Sequence, residues 1–161
     1  MSVFDNPNLI DLLKTDLVFI GLNQAVHDRK DGYKGSWANF HSDDNKRQND
    51  FKLRYALMDT PYWGSYITDV IKSHFDTIST NVVKDISKKE ILVEKHIETL
   101  KRELEILGGK PVLVALGGDT YDILEKYLAD EYKIIKVYHY SYRISKEKYR
   151  EHPLEILEKE L

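Results

Sequence analysis

The sequence contains no cysteine. This absence excludes disulfide bonds, zinc sites built on thiolates and iron–sulfur clusters held by cysteine. Its apolar runs are all shorter than the roughly 18 residues that a transmembrane helix needs. The first residues also lack the basic stretch followed by an apolar one that marks a secretory signal. We therefore expect a cytoplasmic protein that does not enter a membrane.

Positive charge is scarce as well. Lys and Arg total 24 against 27 Asp and Glu, for a formal net charge of −3. A protein that coats nucleic acid through bulk charge is normally basic, so this balance disfavours that mode of binding. One local basic patch is present within residues 139–150: Arg143, Lys146, Lys148 and Arg150. Residues 151–161 are acidic, and two solvated faces of opposite charge would also explain this pattern.

The chain length and the apolar runs predict the fold class. At roughly 100–200 residues per domain, 161 residues correspond to one domain over residues 1–161. Uninterrupted apolar runs of strand length occupy residues 17–22, 111–116 and 134–138, and a weaker one occupies residues 66–71. Runs without alternation indicate strands buried on both faces, as in a parallel sheet.

Helical patterns separate these runs. The predicted helices cover residues 7–14, 51–58, 88–107 and 119–129. Ser87 and Glu90 fit a capping box that begins the third helix, and Asp119 fits the cap of the fourth. This alternation predicts an α/β fold, a three-layer sandwich with helices on both faces of a mostly parallel central sheet of about four strands.

Polar residues collect where the predicted strands end. In open parallel α/β sheets, ligands bind beyond the carboxyl ends of the strands. Those ends carry an amide at Asn23, a carboxylate at Asp69, a glycine turn at 117–118 and an imidazole at His139. Such residues are also common in turns, so each alone indicates little. The four together favour a site, since the long aromatic segment 23–49 leaves from the same edge.

Other signatures of chemistry are missing. The six histidines show no metal-ligand spacing. Gly117-Gly118 has neither the spacing of a dinucleotide fingerprint nor the lysine of a P-loop. No serine lies in a Gly-x-Ser-x-Gly elbow. We therefore expect neither a metal nor a cofactor.

Four segments, taken in order, resemble motifs of the uracil-DNA glycosylase superfamily. Residues 21–25 resemble its Gly-x-Asn-Pro-Gly or Gly-x-Asp-Pro motif, and residues 64–72 resemble its Tyr-x-Thr-Asn-x-x-Lys segment. Residues 112–117 match its buried strand, and residues 139–141, His-Tyr-Ser, fall where its His-Pro-Ser motif lies. The resemblance covers nearly the whole chain. It implies a DNA glycosylase that hydrolyses the N-glycosidic bond of a damaged or deaminated base, the first step of base excision repair.

The resemblance also implies a role for each matching residue. Asn23 would position the attacking water, and His139 would donate a hydrogen bond to the departing base. The residues implied to contact the flipped base are Gly21, Gln24, Trp37, Phe40 and Asp69. The residues expected to contact DNA are Ser141, Tyr142, Arg143 and Lys146, and we expect a monomer.

Three positions depart from the family pattern. Gln24 and Tyr140 replace prolines, and Asp69 replaces the asparagine that reads the base. An ionised Asp only accepts hydrogen bonds, so Asp69 would match a base edge with two donors, as in a guanine-type base, rather than uracil. A water-activating Asp69 and a purely structural Asp69 are the alternatives.

Two further functions compete with the glycosylase. The first is a non-catalytic member of the same fold that binds a base, a nucleotide or a protein partner. The amide of Asn23 and the missing prolines favour it, whereas His139 and the order of the strands favour the enzyme. The second is an unrelated α/β enzyme acting on a small molecule.

Overall fold

The core of the fold is a parallel sheet. The structure, a computed structural model, describes residues 8, 12–23, 49–72, 79–89 and 91–161. Within these ranges the strands are β1 (Lys14–Asn23), β2 (Ser65–Ile71), β3 (Val112–Leu116) and β4 (Ile134–Val137). They lie in the order β2-β1-β3-β4, and each neighbouring pair is parallel. The four predicted strands are confirmed.

Helices cover both faces of this sheet. Those in the described ranges are α1 (Phe51–Leu57), α2 (Ser79–Ser87), α3 (Val93–Ile106), α4 (Gly118–Leu128) and α5 (Lys146–Glu160). Apolar residues of α2, α3 and α4 pack against one face of the sheet, and those of α1 and α5 pack against the other. The predicted three-layer α/β sandwich is confirmed.

The central strand β1 shows why the uninterrupted apolar runs became buried strands. Val18 and Ile20 join the core beneath α2, α3 and α4, whereas Phe19 joins the core beneath α1 and α5. All three are fully buried. Because successive side chains of a strand point to opposite faces, a strand between two helical layers needs apolar residues at every position.

Two predictions around helix ends were wrong. Lys14 begins β1 rather than ending a helix, because its backbone N–H donates to the Gly64 carbonyl at 2.9 Å. Ser87 is the last residue of α2, and its hydroxyl donates to the Lys84 carbonyl at 2.7 Å. It therefore does not cap the next helix, which begins at Val93. Its proposed partner Glu90 lies outside the described residues.

The cap of α4 also differs from the prediction. Gly117, not Asp119, is the N-cap residue, with a φ of 96°. Glycine reaches this left-handed region without the steric penalty that a Cβ atom would bring. Asp119 lies instead in the first turn of α4, where its negative charge faces the positive end of the helix dipole.

Two helices, α2 and α5, were not predicted. In α5 an internal Pro153 and four glutamates in residues 151–161 hide the helical pattern. Its buried residues Tyr149, Pro153 and Leu157 recur every four positions and so form one stripe. The helix begins at a side-chain cap, because the Ser145 hydroxyl accepts the Lys148 backbone N–H at 3.3 Å.

Candidate active site

The sheet register brings the three principal candidates to one edge. Asn23 is the last residue of β1, and Asp69 lies two residues before the end of β2, where it pairs with Gly21. His139 follows β4 by two residues. Because all four strands run in the same direction, these residues share the carboxyl edge of the sheet, where this class of fold binds ligands.

Asp69 belongs to a small acidic group around a tyrosine. Asp69 and Asp50 are 6% and 3% exposed, and the charges of both carboxylates act on the Tyr140 side chain. Burial, and then the negative charges of Asp69 and Asp50, raise the pKa of Tyr140. The hydroxyl therefore stays protonated at neutral pH and can donate a hydrogen bond. The sequence analysis missed Asp50, whose place directly before α1 was its only signal.

His139 has two close neighbours. One is Gly117, where an added Cβ would lie 3.3 Å from the Cβ of His139. The other is Tyr140, whose ring centroid lies 4.0 Å from that of His139. Although part of the His139 surface remains exposed, this crowding removes water from the imidazole. Burial lowers the pKa of His139 to about 4.

Ser141 defines the tautomer of that imidazole. The backbone N–H of Ser141 donates to Nδ1 of His139 at 3.2 Å, and the Ser141 hydroxyl lies 2.7 Å from the same nitrogen. A backbone N–H can only donate, so Nδ1 must be the acceptor and the proton of the neutral ring lies on Nε2. His139 therefore presents an uncharged Nε2–H donor.

The residues predicted to contact DNA follow His139 along the chain. Ser141, Tyr142 and Arg143 are exposed. The Tyr142 ring stacks on Tyr138 with centroids 4.4 Å apart. Lys146 begins α5, where its Nζ lies 4.6 Å from the centre of the Tyr55 ring.

The other two basic residues of the patch, Arg150 and Lys148, differ in their surroundings. Arg150 Nη1 donates to the Tyr55 carbonyl and so ties α5 to α1. Lys148 is exposed on the first turns of α5.

Three predicted base-contact residues, Gln24, Trp37 and Phe40, lie outside the described residues.

A polar network on the opposite face of β2 accounts for the rest of its motif. Tyr66 and Thr68 donate to one oxygen of Glu103 in α3, and Lys72 forms an ion pair with the other at 2.7 Å. Burial alone would raise the pKa of Glu103, but the hydrogen bonds that it accepts, the one from Lys72 first, hold that pKa below its ordinary value. These motif residues thus join β2 to α3, and sequence reasoning missed Glu103.

The structure is therefore an α/β sandwich in which polar residues lie together at the carboxyl ends of the parallel strands. A family model described as the Uracil DNA glycosylase superfamily matches residues 7–159, and the chain belongs to that superfamily. The resemblance predicted from four motifs is confirmed. No curated protein and no solved structure matches the chain.

The described residues lack two further features. None of their helices combines the length and apolar character required to cross a membrane. Within the same ranges, no three His, Asp or Glu side chains are grouped as metal ligands.

Proposed function

We propose that this protein is a DNA glycosylase that hydrolyses the N-glycosidic bond between deoxyribose and a damaged or deaminated base. Membership of a superfamily composed mostly of DNA glycosylases supports this proposal. The observation that carries it is the neutral His139, whose Nε2–H donor lies at the same sheet edge as Asn23 and Asp69.

His139 fits the role of hydrogen-bond donor to the leaving base. When the bond from the sugar C1′ to the base nitrogen breaks, its electron pair leaves with the base, and negative charge collects on the base oxygen. A donor held in place for that charge lowers the barrier without having to reorganise. Removal of one such donor typically slows catalysis by about 10²–10³-fold.

Asn23 fits the role of water positioning. As the bond breaks, C1′ gains positive charge and the oxygen of a water molecule bonds to it. The amide oxygen of Asn23 can accept a hydrogen bond from that water and so orient it. An amide is too weak a base to remove the water's proton, so this arrangement contributes less than a carboxylate would, and the proton passes in the end to the departing base anion.

Asp69 and Tyr140 together point to the class of base. The Asp69 carboxylate only accepts hydrogen bonds, and its charge acts on the Tyr140 side chain, which stays protonated. A base edge with two adjacent donors, such as N1–H and the amino group of a guanine-type base, complements the carboxylate. The O4 atom of uracil would be repelled by it. Asp69 is thus the proposed specificity residue.

A local electropositive surface supports a DNA substrate despite the net charge of −3. Arg143, Lys146 and Lys148 lie on the segment that follows His139, so phosphates contacted there would flank the flipped nucleotide. An enzyme that excises a base must extrude it from the duplex, and backbone contacts hold the DNA while it does so. Excision would leave an abasic site for base excision repair.

A specific observation favours a second function, a non-catalytic binder of bases or nucleotides. The residue at the end of β1 is an amide, so the position expected to handle water lacks a strong base. In that case Asp69 and Tyr140 would recognise a base that remains attached to its sugar.

A lesion panel tests the proposed function. The protein is incubated with duplexes that each contain one uracil, hypoxanthine, xanthine or 8-oxoguanine, and abasic sites are then cleaved with alkali. We expect strand cleavage at one or more lesions. Tight binding to a lesion duplex without any cleavage would contradict the glycosylase proposal and favour the non-catalytic binder.

A further inference from the structure

Lys52 is a buried lysine that lies on a helix and not on the sheet. It lies in α1 and is 8% exposed. Its Nζ donates to the backbone carbonyls of Tyr142 at 3.0 Å and Ile144 at 2.9 Å, which follow it by 90 and 92 residues. Lysine is almost never buried without partners, because its charge loses hydration. Here its partners belong to one loop.

That loop, residues 138–145, carries His139, Ser141, Tyr142 and Arg143. Its own hydrogen bonds connect Lys52 to the imidazole. The Tyr142 carbonyl, which accepts from Lys52, also accepts the Ile144 N–H at 2.8 Å, and the Tyr142 N–H donates to the His139 carbonyl at 2.9 Å. Lys52 is thus linked to the backbone of His139 through Tyr142 alone.

The two ends of the loop are fixed by other contacts. The Tyr149 hydroxyl donates to the Tyr138 carbonyl at 3.1 Å, and Ser145 caps α5. Between these points, Lys52 bonds from outside the loop to the backbone of its middle. A charged donor makes hydrogen bonds about twice as strong as a neutral one, so its loss would loosen this part most.

We propose that Lys52 is a positioning residue for the 138–145 loop. This role rests on the proposed function, since the loop carries the suggested donor His139. By fixing the Tyr142 and Ile144 carbonyls, Lys52 keeps the Ser141 N–H on Nδ1 of His139 and so keeps the Nε2–H donor in one orientation.

Hydrogen exchange measures this role without any enzyme assay. In Lys52→Met, amides in a peptide covering residues 139–145 should exchange roughly tenfold faster or more, because the loop loses both charge-assisted hydrogen bonds from Lys52. Lys14→Met is the matched control, because Lys14 Nζ also donates to a backbone carbonyl, that of Pro61, at the opposite edge. It should leave this peptide unchanged.

Conservative variants separate positioning from general destabilisation. Lys52→Arg keeps the charge and several donors and should restore slow exchange in the loop. Lys52→Gln, a milder change that also serves if Lys52→Met does not fold, should give an intermediate rate. Nitrogen NMR should show the single Nε2–H tautomer of His139 in the wild type and a mixture of tautomers in Lys52→Gln.

The excision assay adds a readout that ties the loop to catalysis. Lys52→Gln is expected to lower kcat by roughly tenfold with a smaller change in KM, because a displaced donor affects the transition state more than DNA binding. Exchange in residues 139–145 that stays at the wild-type rate in both Lys52→Met and Lys52→Gln would overturn the role of Lys52. A wild type that cleaves no lesion would overturn the proposed function, and the exchange result would still stand.

Discussion

The backbone N–H of Ser141 donates to Nδ1 of His139 at 3.2 Å, two residues away along the chain. This local contact fixes which nitrogen carries the proton, and the packing of Gly117 and Tyr140 around the ring keeps it uncharged. A neutral donor is therefore built from the turn of residues 139–141, which includes Tyr140, together with Gly117 at the N-cap of α4. The chemistry proposed for the site depends on the fixed tautomer of His139 and on its uncharged state.

The titration of His139 tests this arrangement. Because burial lowers its pKa from 6.5 to about 4 in the folded protein, His139 should remain neutral at pH 6. In the unfolded chain it binds a proton near pH 6.5, so its contribution should lower the free energy of unfolding as the pH falls from about 6.5 to 4. Nitrogen NMR, with the signal assigned by its loss in His139→Gln, should give a midpoint near 4. A midpoint near 6.5 would show a solvated ring.

Asp69→Asn tests base recognition. If Asp69 reads a donor edge, the amide restores a donor for O4 and should shift the preference toward uracil by roughly tenfold or more, since a good polar match contributes about 1–3 kcal/mol. If Asp69 activates water, every base should be cleaved more slowly with the ranking unchanged. Excision rates on uracil, hypoxanthine, xanthine and 8-oxoguanine duplexes, with a melting curve for each protein, separate these cases. Of these bases, 8-oxoguanine carries N1–H beside an amino group. A structural Asp69 would show only a lower melting temperature.

Reversal of two charges tests the DNA contacts. Arg143→Glu combined with Lys146→Glu should abolish measurable DNA binding, and wild-type binding should weaken steeply with salt as about one counterion is released per phosphate contact. The control reverses Lys110 and Lys126, which lie before β3 and in the last turn of α4, toward the amino edge of the sheet. Equal affinities for both double variants would exclude the patch.

Glu103→Gln tests the network that joins β2 to α3. The change weakens the hydrogen bonds from Tyr66 and Thr68 and removes the carboxylate that pairs with Lys72, so the free energy of unfolding should fall by about 1–3 kcal/mol at pH 7. Because the pKa of Glu103 is lowered by folding, its contribution is present above its ordinary value of 4.5 and is lost as the pH falls below it. The variant should therefore be less acid-sensitive. Glu105→Gln, on the exposed side of the same helix, should match the wild type in urea unfolding.

Much of the fold could be predicted because its signals are local. The uninterrupted apolar runs in β1 and β3 require burial on both faces, and this alone indicates a sheet between two helical layers. Helix α5 was missed because Pro153 and its glutamates suggest a solvated tail, although its buried stripe repeats every four residues. Ser87 was misassigned because a serine bonds equally well backward to Lys84 and forward to a new helix.

The candidate site could be predicted only in part, because several of its contacts are not local in the sequence. Asn23, Asp69 and His139 follow from strand ends and from the family motifs. The contacts of Lys52, the hydroxyl contacts of Glu103 and the effect of Asp50 on Tyr140 arise from packing between segments that are 35 to 92 residues apart. No local pattern in the sequence specifies which of its many lysines and carboxylates will meet such partners.

The single-turnover rate of base excision by the wild type and by His139→Ala tests the central claim most directly. Both proteins are mixed in excess with the lesion duplex that the wild type cleaves best, and Ser141→Ala, which keeps the backbone N–H, serves as the matched control. We predict that His139→Ala is slower by about 10²-fold or more, the typical effect of losing a preorganised donor, and that Ser141→Ala is affected far less. Equal rates for His139→Ala and the wild type would contradict the account.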